Sequence, residues 1–307
     1  MNLKIVLSVL TYVVSVCVFA QNKNDFSILE ERINKKAVSI IEFNSNAERI
    51  DQNNKLYDLL LETLKKHGSF DYPFDSLETI SVLKSPDDRF RIYTWYFPLI
   101  DGDFKHFGFL QSRSLEQDTI VIYEFVDRSQ KIEDPEFMSL DHTNWFGAYY
   151  YELIHNSHNG NDYYTLLGWR GNNPLIRQRV IETLMIKSDG EPIFGKEMFE
   201  YKEKKHKRIL FNYSARVSMA LKYDLQVLES EGRRRGRPVK LIVFDRLVPA
   251  DESLKGHYQF YKPETNIFDG FIFENGKWKF LSDIDVRADS RDIPEPVRLQ
   301  DHLENEK

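Results

Sequence analysis

The sequence predicts a mainly β protein, an antiparallel sandwich, barrel or partial propeller, carrying an N-terminal helical hairpin. Three observations predict it. From Leu77 onward, about a dozen short β-branched and aromatic runs alternate with turn-forming clusters. Those runs show no regular βαβ alternation, which favours antiparallel sheets. Before them, apolar residues recur every three or four positions, the period of a helix face.

Residues 1–20 read MNLKIVLSVLTYVVSVCVFA. Lys4 precedes an apolar run from Ile5 to Ala20, which is shorter than the about 20 residues that a bilayer span needs. Val18 and Ala20 occupy the −3 and −1 positions of a cleavage site, and polar residues follow at once. The segment is therefore predicted to be a secretory signal peptide cut between Ala20 and Gln21. That places the chain outside the cytoplasm, in the periplasm or at the cell surface, with no transmembrane span after cleavage. The single cysteine, Cys17, lies inside the segment, so the mature chain holds no disulfide, thiolate nucleophile or cysteine-bound zinc.

The hairpin is expected over residues 21–68. Phe26, Leu29, Ile33, Ala37, Ile40 and Ile41 form one apolar face. Asn44, Ser45 and Asn46 offer N-caps for a second helix with a stripe of Ile50, Tyr57, Leu60, Leu61 and Leu64. Lys65, Lys66 and His67 suit the negative end of that helix, and Gly68 suits the position after its cap.

A β-rich domain is expected over 69–282. Ser85-Pro86-Asp87-Asp88 separates runs at Thr79–Leu83 and Phe90–Phe97, and Asp101-Gly102-Asp103 precedes Phe104–Gln111. Thr119–Val126 is almost continuously apolar, as in a strand covered on both faces. Ser188-Asp189-Gly190 and Asn275-Gly276 are hairpin signals. The Ser-Pro-Asp turn has a propeller flavour, but no second copy recurs at a fixed period. Residues 127–148 lack periodicity and are expected to form a rim or lid. Residues 283–307 are expected to be a charged, mobile tail.

Composition and motifs exclude several functions. A 41% hydrophobic content is enough for a sizeable core. With 42 Lys plus Arg against 48 Asp plus Glu, the net charge of −6 argues against binding nucleic acid by bulk electrostatics. Arg235-Gly236-Arg237-Pro238 resembles the core of an AT-hook, whose arginines suit the narrow minor groove. The match covers four residues and the leader directs the chain away from the chromosome, so no nucleic-acid partner is predicted. No Gly-x-Ser-x-Gly, no Ser-x-x-Lys followed by its partner motifs and no phosphate-cradling glycine loop is present. His155, His158 and Asp162 offer imidazole and carboxylate donors, but they fall on a turn between strands. No metal and no cofactor is predicted.

Two groups of candidates remain. Glu124 and Glu152 sit in apolar strands, where burial would raise a carboxyl toward a general acid, and glycoside hydrolysis needs only two such groups. Trp95, Trp145, Trp169 and Trp278 could stack on sugar rings. Trp169, Arg170 and Asn172 bring an aromatic, a cation and an amide together, and Trp145 lies in the expected rim.

Phe19-Ala20 before Gln21, Trp95–Gly102 (WYFPLIDG) and Gly190–Gly195 (GEPIFG), in a body rich in Tyr, Phe, Asn and Lys, resemble uncharacterised exported β-rich proteins of Bacteroidota. The resemblance implies cyclisation of Gln21 to pyroglutamate. It also implies O-glycosylation at Asp75-Ser76-Leu77, and less so at Asp118-Thr119-Ile120; it carries no catalytic residue. The sequence thus favours an exported, non-enzymatic cell-envelope protein that binds a partner protein or a glycan. The alternative is an exported carbohydrate-active hydrolase using dispersed carboxylates.

Overall fold

The computed structural model describes residues 25–228 and 237–284. The predicted cleavage site, Gln21, the arginines at 233–235 and all of the tail beyond Ile284 lie outside the described residues. The chain divides after Ile80 into a helical unit and a β unit.

In the helical unit, α1 spans residues 25–39 and α2 spans Asn46–Leu64. Ser45 caps α2 as the sequence predicts: its hydroxyl oxygen accepts the Glu48 N–H at 3.2 Å and its O–H donates to the Glu48 carboxylate at 2.7 Å. Gly68 takes the left-handed conformation after the helix, with φ 86°. The buried face of α2 is Asn53, Leu56, Leu60, Thr63 and Leu64. It is rotated from the expected stripe, and Ile50 is 40% exposed. Residues 65–80 fold back on α1, where Phe26 stacks on Tyr72 at 5.2 Å. The buried Glu30 accepts bonds from the Tyr72 hydroxyl at 2.6 Å and from the Ser76 N–H at 2.7 Å. Ser76 itself is exposed.

Among the described residues the β unit contains three open sheets, and none closes into a barrel. The first is an antiparallel meander of β1 (Ser81–Lys84), β2 (Phe90–Pro98), β3 (Phe104–Ser114) and β4 (Thr119–Phe125). The second begins with the short β5 (Leu140–Asp141) and is dominated by β6 (Tyr149–His158), β7 (Asn161–Asn173) and β8 (Ile176–Ile186). β9 (Pro192–Phe194) returns along the end of β8. The chain then leaves for a hairpin of β10 (Phe199–Tyr201) and β11 (Lys204–His206) before β12 (Arg208–Ser214) pairs with the rest of β8. The third sheet joins that hairpin to β13 (Leu221–Leu228), β14 (Arg237–Pro249), β15 (Tyr261–Glu274) and β16 (Lys277–Leu281). β10 lies parallel to β16.

The second sheet is the middle layer. Successive strand residues point to opposite faces, and here both faces are core. Leu166 and Val180 pack with Phe90, Ile92 and Leu110 of the first sheet. Their neighbours Leu167 and Ile181 pack with Ile242, Phe244 and Phe271 of the third. Each such side chain contributes about 1.5–3 kcal/mol of burial. Gly108 on β3 is required by close approach, because a Cβ there would lie 2.9 Å from the Tyr93 carbonyl oxygen and 2.5 Å from the Phe125 ring.

Three expectations change. β4 is an edge strand, not one covered on both faces: its apolar run is β-branched and aromatic, and Ile120 is exposed. The apolar runs Val217–Leu221 and His257–Tyr261, which the sequence suggests as strands, are mostly not strand: residues 217–220 and 257–260 lie outside any strand, and a 3-10 turn at Tyr258–Phe260 precedes β15. The start of the expected mobile tail is fixed, since Ile284 is buried against Leu241 and Val243 and its N–H donates to the Phe268 carbonyl at 2.8 Å.

Candidate functional site

Most residues that the sequence offers for binding are interior. Trp145 is fully buried, with its ring 5.1 Å from that of Phe125 and its Nε1–H donating to the Tyr150 hydroxyl at 2.9 Å. Trp169 packs between Tyr96 and Phe104, with centroids at 4.7 and 5.5 Å. Arg170 is 6% exposed and donates to Asn172 at 3.0 Å and Gln178 at 2.8 Å. Of the predicted ligand set only Asn172 is half-buried. The reason is the position of β7, which lies between β6 and β8 in the middle layer, so that over residues 164–171 neither of its faces meets solvent. Trp95 and Trp278 are likewise core.

The two candidate carboxylates sit on different sheets. Glu124 is exposed on β4, where its backbone carbonyl accepts from His142 Nδ1 at 3.0 Å. Glu152 lies on β6, and its carboxylate accepts the Tyr223 N–H of β13 at 3.2 Å. Burial raises the Glu152 carboxyl and the Tyr223 bond opposes that shift. A glycosidase pair must flank one bond from a shared cleft, and these two carboxylates have separate surroundings.

A second set of charges is sealed between the first two sheets. Glu182 and Arg208 face each other across β8 and β12 and form an ion pair with both side chains 0% exposed. The Tyr150 hydroxyl donates to Glu182, and Arg208 also donates to the Pro135 carbonyl. The Phe146 ring lies beneath two guanidinium groups, Arg208 at 5.2 Å and Arg170 at 5.1 Å. Beside them His106, also buried, stands 3.3 Å from Asp127. Glu182, Arg208 and Tyr150 are spent on one another, whereas the buried His106 Nε2 and Arg170 Nε have no hydrogen-bond partner among the described residues.

Two places do meet solvent with chemistry. The first is a depression of about 490 Å³ formed by the β10–β11 hairpin and β16. Tyr201 and Phe280 form its aromatic wall, with centroids 5.0 Å apart, and Lys202, Lys204, Lys205 and Lys279 line it against Glu200 and Glu203. The hairpin turns on Lys202 and Glu203, both left-handed at φ 50° and 60°, the backbone of a type I′ turn. Lys202 Nζ lies 4.8 Å over the Tyr201 ring. Lys205 pairs with Glu197 at 3.6 Å and Lys279 with Glu274 at 3.1 Å. No carboxylate partner is recorded for Lys202 or Lys204 among the described residues. The signal missed in the sequence is the run Lys202-Glu203-Lys204-Lys205-His206-Lys207 directly after Tyr201.

The second place is at the β6–β7 hairpin. His155 Nε2 lies 2.8 Å from Asp162 Oδ1, which also accepts the Ser157 hydroxyl at 2.7 Å. Those two bonds hold the Asp162 carboxyl below its ordinary value, the Ser157 bond contributing most. Asp87 joins them from the β1–β2 turn, so that donor atoms of Asp87, His155 and Asp162 all lie within 4.8 Å of one another. His158, at the hairpin end, is not in the group.

No protein-family model matches the chain, and neither a curated protein nor a solved structure matches it.

Proposed function

We propose that this chain is an exported, non-enzymatic protein of a Bacteroidota-type cell envelope that binds an anionic glycan at the depression between the β10–β11 hairpin and β16. One observation carries the reading: that depression puts lysine ammonium groups beside two aromatic rings. Acidic sugars present carboxylate or sulfate groups to the former and apolar C–H faces to the latter. With Lys205 and Lys279 paired to Glu197 and Glu274, the positive charge of the site rests on Lys202 and Lys204, on a chain of net charge −6. Export is supported by the leader-like residues 1–20. Among the described residues no helix is long and apolar enough to cross a membrane. Binding is favoured over hydrolysis because Glu124 and Glu152 lie on different sheets and the Glu152 carboxylate is already engaged.

Calorimetric titration with neutral and uronic-acid oligosaccharides, at low and at moderate salt, tests the reading. The expected result is saturable binding of the acidic series that weakens with salt and is lost in Lys202→Ala/Lys204→Ala. Both lysines are exposed, so the fold is retained. Equal affinity for neutral sugars, or an unaffected double variant, would overturn it. Retention of an acidic envelope peptide with no sugar bound would assign the depression to a protein partner. Intact mass of the exported chain tests the leader, with the expected N-terminus at Gln21.

A further inference from the structure

We propose that Asp87, His155 and Asp162 form a divalent transition-metal site that ties the first sheet to the second. The sequence expectation of no metal rested on the position of His155 and Asp162 in a turn. The folded chain adds a third donor from a distant segment of another sheet.

The donor set is one imidazole and two carboxylates, which suits Zn²⁺ or Mn²⁺ and leaves positions for water. Ligand atoms bonded to one ion at ~2.1 Å in a tetrahedron stand ~3.4 Å apart. The present separations bracket that value, from 2.8 Å between His155 and Asp162 to a limit of 4.8 Å across the group.

Each donor is held by independent framework. Asp87 lies in a turn closed by Ser85, whose hydroxyl oxygen accepts the N–H groups of Arg89 at 2.9 Å and Phe90 at 3.0 Å. His155 stacks on its cross-strand partner Tyr164 at 5.1 Å. Asp162 faces Ser157 across the hairpin. Outer contacts of the kind that orient metal ligands are also present, since the Tyr164 hydroxyl donates to Asp87 and the Ser157 hydroxyl to Asp162. The nearby Arg89 donates from Nη2 to the carbonyls of Ile186 and Lys187, each at 3.1 Å, and keeps its positive charge beside the group. A bound ion would replace the His155–Asp162 hydrogen bond with two metal bonds and add Asp87. It would fasten the β1–β2 turn to the β6–β7 hairpin.

The test uses the full chain stripped with chelator and titrated with Zn²⁺, and separately with Mn²⁺, by calorimetry. The expected result is one ion per chain and a higher melting temperature on loading. Asp87→Asn and Asp162→Asn should each weaken binding at least about ten-fold, while His158→Asn leaves it unchanged. The metal-free melting temperature of each variant is the folding control, and either aspartate variant with a native value suffices. Co²⁺ supplies a second reading, because its visible spectrum reports an imidazole–carboxylate environment that His155→Gln should abolish. Absence of saturable binding of both ions would overturn the proposal. So would wild-type affinity in Asp87→Asn, since binding would then owe nothing to the first sheet.

Discussion

Replacing Arg208 with methionine tests whether the sealed charges are architecture or chemistry. The substitution leaves the Glu182 carboxylate, at 0% exposure, with the Tyr150 hydroxyl as its remaining partner. It also strips a donor from the Pro135 carbonyl. Removing one member of a buried pair costs about 3–5 kcal/mol, because the survivor stays desolvated and uncompensated. At about 2–4 °C per kcal/mol for a unit of this size, the melting temperature should fall by roughly 6–20 °C. Glu182→Leu should cost a similar amount. Combining the two removes both charges, so the double variant should lose much less than the sum, with a coupling of about 2 kcal/mol or more. Urea unfolding followed by tryptophan fluorescence measures all four proteins, and Trp145 reports directly through its bond to Tyr150. Single-variant losses below about 1 kcal/mol, or simple additivity, would refute the reasoning. A gain in stability from Glu182→Leu would point instead to a strained functional carboxylate.

Two further predictions concern the core. Burial holds the His106 imidazole below its ordinary value, and Asp127 opposes this only in part. The folded state therefore refuses a proton that the unfolded chain accepts near about pH 6.5. This contribution to stability is intact above that pH and is lost as the pH falls below it. The urea midpoint should thus drop between about pH 7.5 and about pH 5.5, with His106 contributing at most about 1.4 kcal/mol per pH unit; His106→Gln should flatten the slope, and an unchanged slope would exclude it. Gly108→Ala should destabilise by about 1–3 kcal/mol through overpacking against the Tyr93 carbonyl and the Phe125 ring. A thermal melt within error of wild type would show that β2 and β3 can separate to admit the methyl.

Local signals in the sequence survive folding better than global ones. Asn275-Gly276 turns β15 into β16 with Glu274 opposite Lys277, and Ser45 and Gly68 bound α2 as their chemistry requires. The layer position of a strand is not local. An apolar run reads alike in the middle sheet and at an edge, so β4 was expected inside, and the aromatic, cationic and amide residues after Leu167 were expected outside. Trp169 and Arg170 are polar-tipped residues whose partners, Tyr96 and Gln178, come from other strands. Asp87 meets His155 for the same reason, through contact between sheets and not through spacing. The lysine run at 202–207 was legible as a charge run, but its aromatic wall includes Phe280 from the far end of the chain.

The pairing of β10 with β16 joins segments that lie far apart in the chain. Residues 199–206 are made long before their parallel partner at Lys277–Leu281, and the depression needs both. A chain that ended at β15 would carry Lys202 and Lys204 but lack Lys279 and the Phe280 ring that faces Tyr201. The depression is therefore a product of the assembled third sheet and not of the β10–β11 hairpin alone.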